Sequence, residues 1–144
     1  MFKILFWNCN SIIQSTHNFQ LNTLLDSKQA PDIVCLAETK CDEKRTIFLT
    51  NTDYILENFP YKSNSSGIAF LIKKGIEYIH CTNFSISLNV KQNLETSSMI
   101  EWLKIITSSF DFYLGLIYKH PNCGSVDWKI LSKSINQVVV IFYY

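Results

Sequence analysis

The amino-acid sequence predicts an α/β fold in which short strands outnumber helices. Three observations support this class: a strand, helix and strand at the beginning, one uninterrupted apolar run, and a middle section of strands joined by turns. The chain has 144 residues, of which 47% are hydrophobic, so it can build the core of one domain. We therefore do not expect the chain to be disordered as a whole.

The opening of the chain predicts a strand followed by a helix. Phe2 to Trp7 is rich in aromatic and branched side chains and ends at polar Asn8, which suits a strand that leads into a loop. A short amphipathic helix should follow, because side chains recur at helical spacing at Leu21, Leu24, Leu25 and Lys28. Pro31 should close this segment. Its candidate caps are Ser15, Thr16 and Asn18.

The run from Asp32 to Ala37 is typical of a strand that is covered on both faces, and it ends at a charged residue, Glu38. If this strand is parallel to the first, then Asn8, Asn10 and Glu38 lie at the same edge of the sheet. Ligand sites in α/β sheets favour that carboxyl edge. The sequence therefore predicts that these three side chains lie close together.

The middle of the chain is predicted to be antiparallel. Lys73 to Gly75 is expected to form a turn, and Thr107 to Ser109 is expected to connect a hairpin. One candidate strand, Ser85 to Val90, alternates between polar and apolar residues, so one of its faces should be exposed. The candidate strands are Tyr54 to Phe59, Ile68 to Ile72, Ile76 to His80, Ser85 to Val90, Met99 to Ile106 and Phe112 to Tyr118.

The last segment predicts a helix and then a strand. Helical spacing is seen at Trp128, Leu131 and Ile135, with Ser125 as a candidate cap. Val138 to Tyr144 is uncharged and rich in β-prone residues, which is typical of a central strand. Because the chain ends within this run, we expect that it has been cut from a longer domain.

Composition limits the classes of function. Lys and Arg total 13 against 12 Asp and Glu, so a nucleic-acid partner would depend on local contacts rather than on a broad basic surface. The apolar start is too short for a signal peptide, and no stretch approaches a membrane span, so we expect an intracellular protein, nuclear or cytoplasmic and not secreted. An odd number of cysteines without a C-x-x-C pair predicts reduced, mostly buried thiols at Cys9, Cys35, Cys41, Cys81 and Cys123.

Glu38 is the first candidate for chemistry. A carboxylate at the end of a buried strand can provide oxygen ligands to a hard cation such as Mg²⁺. The alternatives are that it caps a helix, pairs with Lys40 or is simply solvated, as most acids at strand ends are. Asn8 and Asn10 can orient a cation or a phosphate oxygen, or can serve only in a turn. The residues alone leave these alternatives open.

Two segments resemble motifs of a known superfamily. Phe6 to Asn10, followed by Asp32 to Cys41, resembles the first two motifs of the endonuclease/exonuclease/phosphatase superfamily. The second segment is similar to the Leu-Gln-Glu-Thr-Lys pattern of apurinic/apyrimidinic endonucleases, with Ala37 where Gln is usual. The resemblance therefore includes the strand end at which Glu38 lies.

Two further segments extend the resemblance along almost the whole chain. Gly67 to Lys74 is similar to the glycine-started strand in endonuclease domains of non-LTR (LINE-type) retrotransposons. Leu116 to Pro121 is similar to their Tyr-Arg-Pro-Pro segment, with His120 in place of the first proline. Four motifs in order are more specific than any one of them.

The resemblance implies a fold, a function and partners. The expected fold is an incomplete four-layer α/β-sandwich, with mostly the first sheet and its flanking helices present, and residues 1–144 as the N-terminal part of one domain truncated at its C-terminus. The implied function is a metal-dependent phosphodiesterase, a DNA endonuclease of a retrotransposon-like protein. Mg²⁺ or Mn²⁺ is the implied cofactor and DNA the implied partner, with no membrane and no small-molecule cofactor; the oligomeric state is left open.

The resemblance also implies residue roles. Glu38 would be a catalytic metal ligand, and Asn8 would act in catalysis beside it. Asn10 would bind both the metal and the phosphate, while Tyr118 would offer its hydroxyl to the scissile phosphate. Tyr118 can also be read as a sheet aromatic, and Glu101 either as the acid that this strand often carries or as an exposed strand residue. Lys119 and His120 are read as loop residues.

Parts of the family's active site are absent from the sequence. The Gly-Asp-x-Asn turn and the Ser-Asp-His motif are not found, and His17, His80 and His120 match no catalytic histidine of the family. We therefore expect a chain that is inactive by itself and poorly soluble. The alternatives are a catalytically dead remnant that binds nucleic acid or a partner, and a phosphatase or lipid phosphodiesterase of the same fold.

Overall fold

A computed structural model describes residues 2–42, 44–60, 67–89, 97–119 and 125–141. The chain divides into two compact units, Met1–Gly75 and Ile76–Tyr144. The first unit contains β1 (Ile4–Asn8), α1 (Ser15–Leu25), β2 (Ile33–Ala37), β3 (Tyr54–Phe59) and β4 (Ile68–Lys73). The second contains β5 (Glu77–His80), β6 (Ile86–Asn89), β7 (Ser97–Ile106), β8 (Phe112–Tyr118) and α2 (Ser125–Ile141).

The sheet of the first unit has the strand order β1-β2-β4-β3. Strands β1 and β2 are parallel, and Asn8 is paired with Ala37 at their ends, so both strands finish at the same edge. All five residues of β2 are buried, which confirms the prediction of a strand covered on both faces. The predicted strand, helix and strand opening is confirmed, and it places the loops after β1 and β2 side by side.

Helix α1 begins one residue earlier than its sequence signals suggest. Its N-cap is Gln14, in extended conformation and without a side-chain hydrogen bond to the helix, so the candidate caps Ser15, Thr16 and Asn18 are wrong: all three lie inside the helix. The helix starts early because the amide of Asn18 already donates to the carbonyl of Gln14. It ends at Leu25, before Lys28.

The core of the first unit includes the beginnings of both loops. Cys9 and Ile12 after β1, and Cys41 after β2, pack with buried side chains of α1 and of the sheet. These three residues are at most 1% exposed. These buried side chains therefore anchor the loops at the carboxyl edge, and the polar residues of the loops lie beside anchored positions.

The sheet of the second unit is built around β7. Strands β5 and β6 pair in succession with one edge of β7, and β8 pairs with the other edge, all of them antiparallel. The predicted hairpin of β7 and β8 is confirmed. On one face the indole Nε1 of Trp102 donates to the hydroxyl of Ser134 on α2 over 2.8 Å, and that hydroxyl donates to the carbonyl of Phe84 over 2.5 Å.

The predicted C-terminal strand is wrong in the part that the structure describes. Val138 to Ile141 continue α2, which runs from Ser125 itself, while Phe142 to Tyr144 lie outside the described residues. The helix continues because no Gly or Pro interrupts the chain between Val126 and Ile141. The valines there lower helix propensity by only a few tenths of a kcal/mol each, roughly, which a helix already formed can absorb.

The described residues confirm the α/β class, with eight strands and two helices. Within those residues the second sheet has as many strands as the first, four, so the expectation of mostly the first sheet understates the second. Neither described helix combines the length and the apolar character needed to cross a membrane.

Candidate functional site

The loops after β1 and β2 share an unusual backbone. Asn10, Ser11, Glu38 and Lys40 have φ values of +39°, +84°, +56° and +54°, and within the described ranges they are the only non-glycine residues with positive φ. Each left-handed non-glycine residue costs of the order of 1–3 kcal/mol in conformational free energy, so it persists only where surrounding contacts hold it. Such residues cluster at functional sites. The concentration of left-handed residues in these two loops marks this edge as the candidate site.

Backbone hydrogen bonds hold the two loops together beyond the strands. The amide of Cys9 donates to the carbonyl of Ala37 (3.0 Å), that of Ser11 to Glu38 (2.7 Å) and that of Ile12 to Thr39 (3.1 Å). The pairing of the parallel strands is thus continued through the strained residues. Because these bonds leave little freedom to relax, the left-handed conformations are retained.

His17 supports the first loop from α1. Its Nδ1 lies 3.0 Å from the carbonyl oxygen of Ser11, and because a carbonyl can only accept, Nδ1 carries the hydrogen and donates it. The imidazole also meets the ring of Trp7 edge-on, with ring centroids 6.1 Å apart. His17 therefore positions the backbone of this loop, a role that its place in the sequence did not indicate.

A chain of hydrogen bonds joins the polar side chains of the two loops. Lys40 donates from Nζ to Asn10 Oδ1 (2.7 Å), and the backbone amide of Asn10 donates to Asn8 Oδ1 (3.3 Å). Asn8 Nδ2 in turn donates to Glu38 Oε1 (3.0 Å). The predicted meeting of Asn8, Asn10 and Glu38 at one edge is confirmed. Glu38 accepts a hydrogen bond from the side-chain amide of Asn8 and forms no ion pair with Lys40.

Glu38 has one carboxylate oxygen that is available to bind a cation. Its side chain is half-buried, and among the described residues Oε2 accepts no hydrogen bond, whereas Oε1 is oriented by Asn8. A single oriented carboxylate fits Mg²⁺, which commonly binds through one or two carboxylates and keeps several waters. Asn10 Oδ1 is already engaged by an ammonium group. In the described part of the chain no three His, Cys, Asp or Glu side chains form a complete metal cage.

Thr39 lies between the two polar residues and points into the core. It is fully buried, its amide donates to the Gly67 carbonyl over 3.1 Å, and its hydroxyl has no partner within the described residues. Gly67 has φ +106°, and a Cβ there would lie 2.6 Å from Thr39 Oγ1. The glycine just before β4 is therefore required both by its backbone and by the threonine beside Glu38.

Replacing Gly67 with alanine is expected to lower the free energy of unfolding by about 2 kcal/mol, since the new methyl group must adopt a strained φ and displace a β-branched, buried side chain. Urea denaturation followed by circular dichroism measures the change. Gly75→Ala is the matched control, because Gly75 also has a positive φ (+93°) but, apart from its two chain neighbours, no described residue has an atom within 4 Å of its Cβ position. Equal losses in the two variants would show that Thr39 does not restrict this position.

The second unit contains the other predicted site residues. Tyr118 is the last residue of β8, is 7% exposed and is paired with Met99. Its role in catalysis stays a prediction. The reading of Glu101 as an exposed strand residue is wrong: it is 8% exposed, and its Oε2 lies 2.8 Å from His80 Nε2. Lys119 is exposed, and His120 lies outside the described residues.

The thiols are reduced and mostly buried, as predicted. Cys9, Cys35 and Cys41 are buried and Cys81 is half-buried, all without a disulfide, while Cys123 lies outside the described residues. Burial raises the pKa of Cys9 and of Cys35 to about 12, and it also raises the pKa of Cys41. Since the thiolate is the reactive form, these cysteines are poor nucleophiles although two of them flank the site.

Comparison with known proteins places the chain in a family. The profile of the Endonuclease/Exonuclease/phosphatase family matches residues 5–96, which include all but the first residue of β1, all of β2 and the loops of the site. The chain therefore belongs to the Endonuclease/Exonuclease/phosphatase family, and the α/β fold class predicted from its motifs is confirmed as that of the family. No curated protein gives a significant match.

The fold is shared with solved structures of other proteins, three of which follow. The endonuclease domain of TRAS1, a telomere-specific non-LTR retrotransposon, aligns with a TM-score of 0.62 at 10% identity over 95% of this chain and 53% of its own. The human Nocturnin catalytic domain with bound sulfate anion aligns at 0.52 and 14%, over 96% and 57%. The 3'-5' exonuclease NExo from Neisseria meningitidis aligns at 0.50 and 16%, over 95% and 51%. The chain spans about half the length of these structures.

Proposed function

We propose that this chain carries the cation-binding part of a metal-dependent phosphodiesterase that acts on nucleic acid, namely the DNA endonuclease domain of a non-LTR retrotransposon-like protein. The observation that carries the proposal is the carboxylate of Glu38, which a strained loop presents at the carboxyl edge with one oxygen oriented by Asn8 and the other without a hydrogen bond from any described residue. Membership of the Endonuclease/Exonuclease/phosphatase family supports the reaction class.

The choice of nucleic acid over other phosphodiesters rests on two likenesses. The segment Glu38 to Lys40 matches the Glu-Thr-Lys part of the apurinic/apyrimidinic endonuclease pattern. Among the solved structures that share the fold, the TRAS1 endonuclease domain has a TM-score of 0.62, against 0.52 for Nocturnin and 0.50 for NExo. These likenesses favour DNA as substrate over a lipid or a small phosphate ester.

The proposed roles of Glu38, Asn8 and Asn10 follow from their contacts, and that of Tyr118 follows from the resemblance of its segment. Glu38 would hold Mg²⁺ or Mn²⁺ through its carboxylate, and Asn8 keeps that carboxylate in one orientation. A divalent cation bound there would supply Lewis-acid polarisation of a phosphate oxygen. Asn10 keeps Asn8 in place through its backbone amide. Tyr118 is proposed to offer its hydroxyl to the scissile phosphate.

We further propose that these 144 residues alone do not hydrolyse DNA. Hydrolysis needs an activated water, stabilisation of charge on the phosphate and a route for the proton. Among the described side chains, the hydrogen-bonded group of Asn8, Asn10, Glu38 and Lys40 contains a single carboxylate, and His17 uses its Nδ1 to hold the backbone of the first loop. Groups that act as a unit in catalysis lose most of the rate when any of them is missing. Binding without hydrolysis is the alternative that this single carboxylate favours.

Glu38→Gln is expected to abolish specific binding of Mn²⁺ by the full chain. In the wild type, Mn²⁺ should broaden the backbone amide signals of Asn10, Ser11 and Lys40 in a ¹⁵N-labelled sample, because an ion bound by Glu38 would lie at the same two hydrogen-bonded loops. The neutral amide of glutamine keeps the shape but loses the charge that a hard cation needs. Glu77→Gln is the matched control, since Glu77 is exposed on β5 in the second unit.

The same preparation tests hydrolysis. Supercoiled plasmid incubated with Mg²⁺ should remain intact with the wild-type chain. Broadening of the site amides that persists in Glu38→Gln would exclude Glu38 as the cation ligand and would remove the basis of the proposed function. Nicking that requires both Mg²⁺ and Glu38 would instead support the endonuclease function and contradict the proposed inactivity of these residues alone.

A further inference from the structure

Lys40 has a charge that its surroundings do not balance. Its ammonium group donates over 2.7 Å to Asn10 Oδ1, which belongs to a neutral amide. Two other cations in the described part of the chain lie against carboxylates: Arg45 against Asp42 at 2.6 Å, and Lys104 against Asp111 at 2.8 Å. No described carboxylate lies within ion-pair distance of Lys40. The site thus contains a positioned cationic group with no anion of its own.

The loop after β2 also keeps opposite charges apart. Glu38 and Lys40 are both half-buried and stand on either side of Thr39, which is fully buried. Each of them is held by an asparagine of the first loop, Glu38 by Asn8 and Lys40 by Asn10. Because the two asparagines are themselves linked, the carboxylate and the ammonium group are held separately and do not neutralise each other.

We propose that Lys40 is a phosphate-binding residue that receives a non-bridging oxygen of a nucleic-acid phosphodiester beside the cation held by Glu38. This inference rests on the proposed function and adds a substrate contact to it. An ammonium group has three donors, and the contact with Asn10 uses one, so donors remain for an anion. The left-handed backbone at Lys40 and the bond to Asn10 fix where this point charge stands.

The separation of charges gives the site two complementary halves. A phosphodiester with its bound divalent cation carries both signs of charge, and it would meet the carboxylate with the cation and the ammonium group with the phosphate oxygen. If Glu38 and Lys40 formed an ion pair with each other, both groups would be less available. The two asparagines are therefore positioning residues in this arrangement.

The salt dependence of DNA binding tests the proposal. The full chain is titrated onto a short fluorescein-labelled DNA duplex in EDTA, and anisotropy gives the binding constant at several salt concentrations. Lys40→Gln should reduce the slope of log K against log salt by about 0.9, the value expected for one lost phosphate contact on duplex DNA. Glutamine can still donate to Asn10, so the loop should remain folded, and Lys40→Arg should restore the slope.

Lys28→Gln is the matched control, because it removes one charge from an exposed lysine beyond the C-terminal end of α1, at the opposite edge of the parallel strands. A slope that changes equally in the two variants, or a wild-type chain that does not bind the duplex, overturns the inference. Vesicles of phosphatidylcholine with a phosphoinositide provide a lipid phosphodiester. Lys40-dependent binding to these vesicles in preference to DNA would also overturn it.

The inference and the proposed function can fail separately. If Glu38→Gln abolishes the Mn²⁺ effect while Lys40→Gln leaves the salt slope unchanged, the metal site stands and the phosphate contact does not. If Lys40→Gln lowers the slope while Mn²⁺ broadening does not depend on Glu38, the chain has a phosphate contact without the proposed metal chemistry.

Discussion

Gly115→Ala is expected to lower the free energy of unfolding of the second unit by about 3 kcal/mol, at the upper end of what overpacking usually costs. Gly115 is paired with Trp102 across β7 and β8. A Cβ at this position would lie 2.4 Å from Cζ3, 2.6 Å from Cη2 and 2.7 Å from Cε3 of the indole. Real side chains do not approach this closely, so either the ring or the strand must move.

The indole cannot move at low cost. Its Nε1 is bonded to Ser134, and the ring packs in a cluster with Ile100 and Leu131. Moving it would break a buried hydrogen bond and open space in that cluster. Urea denaturation of the full chain, followed by near-ultraviolet circular dichroism, measures the change. In a Trp102→Leu background the same glycine substitution should cost less than about 1 kcal/mol. A comparable loss in both backgrounds would show that the indole does not restrict residue 115.

The second large effect is a loss of stability at alkaline pH. Burial raises the pKa of Cys9 and of Cys35 from the ordinary value of 9.0 to about 12. Above pH 9 the unfolded chain loses these thiol protons while the folded chain keeps them, so the unfolded state binds fewer protons and the free energy of unfolding falls as pH rises. The stabilisation is fully present below pH 9 and is lost progressively between about pH 9 and 12.

Each thiol should contribute up to about 1.4 kcal/mol per pH unit within that window. Cys35→Ala should therefore reduce the slope of stability against pH by about this amount, after the cost of the substitution has been measured at pH 7. Urea denaturation at a series of pH values gives the two slopes. The thiolate absorbance of the folded protein provides an independent check. If the native thiols ionise near pH 9, or if the variant keeps the wild-type slope, burial does not control their titration.

Much of the first unit could be predicted because its sequence signals are local. The apolar run that became β2 and the polar residues after it were sufficient to predict that Asn8, Asn10 and Glu38 meet at one edge. The cysteines could be predicted as reduced thiols, since their number is odd and no C-x-x-C pair occurs. In each case the pattern agrees with the tertiary packing, and so it remains valid in the folded chain.

Other features depend on information that local patterns do not contain. The pairing of His80 with Glu101 follows from the register of β5 on β7, which no turn signal specifies. The left-handed conformations of Ser11, Glu38 and Lys40 lack the glycine that usually marks them, because neighbouring backbone hydrogen bonds impose them. The valines after Gln137 have high β propensity, yet they extend a helix that has already formed.

The close approach of Gly67 to Thr39 also restricts how related sequences can diverge. The two residues are 28 positions apart, but the space between them accommodates only one side chain. A lineage in which residue 67 acquires a side chain must first or simultaneously shorten residue 39, and residue 39 lies between Glu38 and Lys40. Substitutions at these two positions should therefore be correlated across an alignment. In such an alignment, a glycine just before β4 would indicate that selection has maintained the adjacent loop.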